Sequence, residues 1–180
     1  MFIWTAVSAD DQLQPIKTQA QDIEKELGFE HSALTLPSHI SLKISFCVDE
    51  EAYPNVIQTL LDYCKTVKPF CVDVDGFELE NTIVWIRIKE NAILKTIHND
   101  LDRILSEQYS IAPHPFDLDF KFHSTLFLDR DKEKINTAYH RIKNAKIPAL
   151  LNISQWIIGA SQSGAIGTYR VTHTVDLGKN

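Results

Sequence analysis

Two short stretches, HISL at residues 39–42 and HSTL at 123–126, each place a histidine two positions before a hydroxyl. A β-strand turns successive side chains to opposite faces, so His39 emerges with Ser41, and His123 with Thr125, while Ile40 and Leu42 point the other way. One such strand is ordinarily a solvated sheet face. Two of them, 84 residues apart in a chain of 180, point instead to two similar lobes that each lend one strand to a shared site. Imidazole titrates near neutrality, so a facing pair can act as proton acceptor and proton donor in one reaction, with the adjacent hydroxyls as hydrogen-bond donors to a ligand.

The elements needed to hold these strands are readable around them. FIWTAVS near the N-terminus is a short apolar strand, and Leu13, Ile16, Ala20, Ile23 and Leu27 recur at helical spacing up to Gly28. After a strand over 38–46 comes a second helix marked by Val56, Leu60, Cys64 and Val67, with Pro54 in its first turn and Pro69 beyond its end. Residues 70–90 read as a hairpin turning near Asn81, which closes the first half. Leu94, Ile97, Leu101 and Leu105 mark a third helix, followed by a proline-broken loop and the strand over 119–128. Ile135, Ala138 and Ile142 mark a fourth helix, and LLNISQWIIGAS and GTYRVTHTVDL are closing strands. This order predicts an α+β fold of two lobes, with residues 1–180 as a single domain.

Composition bounds the function. At 44% hydrophobic content the chain can bury a sizeable core, and a formal charge of −6 leaves no basic field for gripping long nucleic acid. Cys47, Cys64 and Cys71 are odd in number and lack a CxxC pair, which predicts reduced, mostly buried thiols rather than a disulfide framework or zinc site. No run is long enough to span a bilayer, and no basic leader precedes the first strand, so a cytoplasmic protein with no membrane association is expected.

The paired motifs, their spacing, the N-terminal strand and helix and the closing IIGASQSGAIGTYRVTHTVDL resemble the two-histidine (2H) phosphoesterase superfamily, which includes bacterial 2′-5′ RNA ligase-like proteins and cyclic phosphodiesterases. Two departures stand out: Phe122 precedes the second histidine where many relatives have proline, and Ser41 stands where threonine is common. The resemblance implies a bilobal fold, two pseudo-symmetric lobes of antiparallel sheet with outer helices around a central cleft. It further implies a metal-independent phosphoesterase acting on 2′,3′-cyclic phosphates or 2′-5′ linked nucleotides and RNA ends, with 2′-5′ ligation as the reverse reaction. His39 and His123 are then the catalytic pair, His39 as acid and His123 as base by resemblance, and Ser41 and Thr125 hold the non-bridging phosphate oxygens.

Further candidates for substrate contact are Lys43 and Lys121, two positions from Ser41 and His123 on the same predicted faces, Arg130 just past the second motif, and Tyr169, which matches a family tyrosine placed to stack on a base. His31, His98, His114, His140 and His173 fit no pair, and surface roles are expected for them. The expected partner is a small nucleotide or an RNA terminus, with no cofactor and no metal; nothing in the sequence sets the oligomeric state, a monomer being the expectation. The alternative is a non-catalytic nucleotide or RNA-end binding module of the same fold, although binding alone needs no pair of titratable imidazoles. A metal-dependent hydrolase would need a third ligand at motif spacing, and the sequence offers no convincing one.

Overall fold

The computed structural model describes residues 1–179. Strand β1 (Phe2–Ser8) leads into helix α1 (Asp10–Leu27), whose Leu13, Ile16, Ala20 and Ile23 form the buried stripe. Gly28 ends the helix in the left-handed region, φ 67°, where a residue without Cβ is unstrained. The first motif forms β2 (His39–Ser41), followed by β3 (Phe46–Cys47) and α2 (Tyr53–Thr66). The hairpin is β4 (Phe70–Glu80) and β5 (Ile83–Ile88), turning at Asn81 with φ 53°. Then come α3 (Ala92–Tyr109), the second motif in β6 (His123–Leu128), and α4 (Lys132–Ile142). The chain closes with β7 (Leu150–Ile153), β8 (Gln155–Ser161) and β9 (Arg170–Asp176).

Two antiparallel sheets result, making an α+β fold of two lobes. One has the order β2-β1-β8-β9, with β3 also on β1; the other has the order β6-β5-β4-β7. Each motif strand is therefore the outermost strand of its sheet, and the two outer strands β2 and β6 approach each other across the gap between the lobes. The apolar faces, with Ile3, Val7 and Ile40 in one sheet and Val84, Ile86 and Phe127 in the other, join the helices in one core. A second, smaller apolar cluster of Trp4, Ala6 and Ile157, flanked by Leu36, Tyr169 and Val171, covers the opposite face of the first sheet.

Several expectations are corrected. The hairpin does not close the first lobe: β4 and β5 belong with β6 and β7, while the first lobe takes β8 and β9 from the end of the chain. LLNISQWIIGAS is not one strand. It breaks at Ser154, β7 pairing with β4 in one sheet and β8 with β1 in the other. The strand over 38–46 stops at Ser41: the Leu42 amide still bonds to the Thr5 carbonyl of β1 (3.0 Å), but the Ile44 amide leaves the ladder for Asp117 Oδ1 (3.1 Å). Of the thiols, Cys64 is buried but Cys47 and Cys71 are exposed.

Candidate active site

Because β2 and β6 alternate as the motifs predict, Ile40, Ser124 and Leu126 are buried while His39, Ser41, His123 and Thr125 are only half-buried. All four line one cavity of about 330 Å³ between the lobes, together with Trp4, Leu36, Phe120, Leu128, Ile166 and Tyr169. The segment before β2 is fixed from below: Asp10 Oδ1 accepts from the Ser38 amide (2.7 Å) and from Lys17 Nζ (3.1 Å). Burial works against ionisation at Asp10, yet that amide and ammonium hold its carboxyl below the ordinary value.

The two histidines are wired alike. His39 Nδ1 lies 2.7 Å from the Pro37 carbonyl and His123 Nδ1 2.6 Å from the Lys121 carbonyl, each two residues upstream. A carbonyl only accepts, so each Nδ1 carries the proton and each Nε2 is the nitrogen left to a ligand. Burial pushes the His39 imidazole down to about 4, opposed by the Pro37 hydrogen bond and reinforced by the neighbouring His123. Burial also lowers His123, but there the Lys121 carbonyl, Glu80 and Glu78 all favour the protonated ring.

Each histidine also packs on a tryptophan from the next strand. Trp4 of β1 meets His39 edge-on with ring centroids 4.4 Å apart, and Trp85 of β5 stacks on His123 at 4.4 Å. Trp4 Nε1 donates to Ser41 Oγ (3.1 Å), so that oxygen keeps its own proton for a ligand. Trp85 Nε1 donates to Glu78 Oε2 (3.2 Å). Trp4 can lie flat because its neighbour on β8 is Gly159, where a Cβ would stand 2.7 Å from the indole. Neither tryptophan was among the sequence candidates. The available signal was an apolar strand carrying a tryptophan, FIWTAV and TIVWIR, and the structure puts one such strand in each lobe.

The remaining candidates separate. Tyr169 lines the cavity, its hydroxyl buried and without a hydrogen-bond partner among the described residues. Arg130 is exposed and lines an adjoining cavity. Lys121 is exposed and pairs with Glu80 at 3.0 Å. Lys43 does not share a solvated face with His39 and Ser41, because the strand has already ended. It is 1% exposed, and its ammonium sits between Asp117 (2.6 Å) and Asp102 while the stem reaches the cavity wall. His98 is likewise not a surface residue: it is 4% exposed, Nδ1 lying 2.8 Å from the Leu42 carbonyl and Nε2 3.0 Å from the Asp117 carbonyl. His98, Asp102 and Asp117 lie close enough to suggest a cation site, but the Lys43 ammonium already supplies the positive charge and both imidazole nitrogens are turned to carbonyls. Burial opposes ionisation of Asp117; Lys43 and the Ile44 and His114 amides still keep its carboxyl below the ordinary value.

This geometry can be set beside known proteins. A protein of Shouchella clausii, provisionally named a phosphoesterase, is 35% identical over 71 residues, 38% of this chain and 42% of that protein. A similarly named protein of Halalkalibacterium halodurans is 28% identical over 85 residues, 44% and 50% of the two chains. The matched stretches thus span about half the length of these relatives. Among solved structures, TT0787 of Thermus thermophilus shares the fold over 99% of this chain and 98% of its own, with TM-score 0.65 and 15% identity. Apo LigT of E. coli does so over 98% and 97%, with TM-score 0.61 and 19% identity. Among the described residues no helix is long and apolar enough to cross a membrane. The sequence pattern of the 2′-5′ RNA ligase superfamily matches residues 8–164, and with the paired histidine strands facing one cleft, this chain belongs to that superfamily of two-histidine phosphoesterases.

Proposed function

We propose that the protein is a phosphodiesterase for 2′,3′-cyclic phosphates or 2′-5′ linkages at nucleotide or RNA ends, working by proton transfer between His39 and His123 without a metal. The observation that carries this reading is the matched wiring of the two imidazoles: each is held by Nδ1 on a main-chain carbonyl, and each borders the same cavity beside a hydroxyl. A non-catalytic binding module would not need both rings fixed with a free basic nitrogen. Solved complexes of E. coli LigT with 3′-AMP, ATP, NADP+ and phosphate support a nucleotide or phosphate ligand.

In hydrolysis of a 2′,3′-cyclic phosphate, one Nε2 takes a proton from water as its oxygen bonds to phosphorus. The bond from phosphorus to one ribose oxygen breaks, and the other imidazole, protonated beforehand, gives its proton to that oxygen. Ser41 and Thr125 donate to the non-bridging oxygens as negative charge builds on them. In the free protein the carboxylates of Glu80 and Glu78 make His123 the easier ring to protonate, whereas His39 is held to about 4. This favours His123 as acid and His39 as base, opposite to the roles that the resemblance implies.

The test is hydrolysis, in the presence of a chelator, of a panel of nucleoside 2′,3′-cyclic phosphates and 2′-5′ dinucleotides. His39→Ala and His123→Ala should each cost several orders of magnitude in kcat/KM, on the order of the 10²–10⁴ typical of a lost acid or base. Activity abolished by chelator, or retained in either variant, would rule out the mechanism.

A further inference from the structure

A cavity of about 790 Å³ adjoins the active-site cavity and shares Leu128, Gly164 and Ile166 with it. Its other walls include Arg130, His31, Thr82 and Thr168, none of which the proton-transfer mechanism uses. At about 330 Å³ the active-site cavity is at the small end of ligand sites, with room for little beyond one nucleotide. The larger space beside it is open to whatever that nucleotide is attached to.

The chemistry of the walls suits a second nucleotide. Arg130 is exposed, and the arginine ion pairs among the described residues are made by Arg87, Arg103 and Arg141, so its guanidinium is not committed to a carboxylate. A planar guanidinium can hold a phosphate by two parallel hydrogen bonds or lie against a base. His31 offers a second donor, and Ile166, 47% exposed, offers an apolar surface to a base. The acidic neighbours weigh less than their number suggests: Asp129 is paired with Lys134 at 3.1 Å, leaving Glu30 as the remaining carboxylate of the wall.

From these observations we infer that the adjoining cavity is a subsite for the nucleotide next to the scissile phosphate, with Arg130 and His31 as its phosphate contacts. The preferred substrate is then the end of an oligoribonucleotide rather than a mononucleotide. The inference rests on the phosphodiesterase reading above and adds a length requirement to it. It also agrees with the overall acidity of the chain, since one or two local cations grip a terminus without a long basic track.

The experiment compares adenosine 2′,3′-cyclic phosphate with a diadenylate ending in a 2′,3′-cyclic phosphate, using wild type, Arg130→Ala, Arg130→Lys and His31→Ala. Wild type should favour the dinucleotide by about tenfold or more in kcat/KM, a preference that Arg130→Ala largely removes and Arg130→Lys partly restores. A wild-type ratio near one, or an Arg130→Ala loss that is equal on both substrates, would overturn the subsite while leaving the phosphodiesterase reading intact. If neither substrate is turned over, the cyclic-phosphate form of the phosphodiesterase reading fails, and binding decides the subsite. Titration of tryptophan fluorescence with 3′-phosphorylated diadenylate and with 3′-AMP should then show the dinucleotide bound tighter by about tenfold in wild type, and equal affinities would overturn the subsite as well.

Discussion

Trp4 touches both members of the first motif, packing edge-on against His39 and donating to Ser41. Trp4→Phe keeps an aromatic edge beside the imidazole and removes the donor, which frees the hydroxyl to turn away. The expected result is a fall in kcat of about three- to tenfold, the weight of one neutral hydrogen bond, with KM little changed. The reversed roles inferred for the two histidines have their own test. A nucleoside p-nitrophenyl phosphodiester has a leaving group acidic enough to depart unprotonated, so the variant lacking the acid should regain activity on it while the variant lacking the base should not. Rescue of His123→Ala is expected; rescue of His39→Ala would restore the roles implied by family resemblance. At this scale the sequence was generous. His39, Ser41, His123, Thr125 and Tyr169 were all readable and all reach one cavity. The tryptophans were not, because a tryptophan in an apolar strand looks the same whether it fills a core or seats an imidazole.

Among the elements, the loop after β2 depends on a buried charge cluster. Lys43 links Asp102 of α3 to Asp117 of the 3-10 turn over Pro115–Asp117, which also takes the Ile44 amide. Removing one partner leaves a buried charge without compensation, so Lys43→Met should destabilise the protein by about 3–5 kcal/mol in denaturant titration. A loss under about 1 kcal/mol would mean that water replaces the ammonium. This cluster could not be anticipated from strand alternation. Alternation carried Lys43 onto the face of His39 because nothing in HISLKISF announces that the strand ends at Ser41; the cause lies in Asp117, 74 residues from Lys43. The helices were easier, since their apolar spacing, Pro54 and Gly28 are local signals that distant contacts only reinforce.

For the molecule as a whole, the lobes do not coincide with the halves of the chain. Chain order suggested a repeat, and the motifs do repeat, but strand pairing is decided by contacts that no local pattern records. The break at Ser154 sends consecutive strands into different sheets, so neither sheet can lose its strands without pulling on the other. Calorimetric unfolding is therefore expected to show one transition, with calorimetric and van't Hoff enthalpies equal; two resolved peaks would mean separable lobes. The same scans define an acid limit. His39 is neutral in the fold down to about pH 4 but protonates near 6.5 when unfolded, so the unfolded chain binds more protons between those values. The contribution of His39 should be full above pH 6.5 and be lost as pH drops toward 4, by roughly 2–4 kcal/mol, against the opposite trend of Glu24, which burial raises to about 7. His39→Gln should flatten that slope.

The carbonyls of Pro37 and Lys121 that orient the two imidazoles are main-chain groups, and every amino acid has one. No genetic substitution at position 37 or 121 can delete the acceptor, so the tautomers are inherited through the path of the backbone rather than through residue identity. Lys121 is free to drift in evolution without unsetting His123. Weakening the acceptor would take chemical synthesis: an ester in place of the amide between residues 121 and 122 weakens the carbonyl while leaving every side chain in place, whereas the same change between 37 and 38 would also remove the Ser38 amide that donates to Asp10.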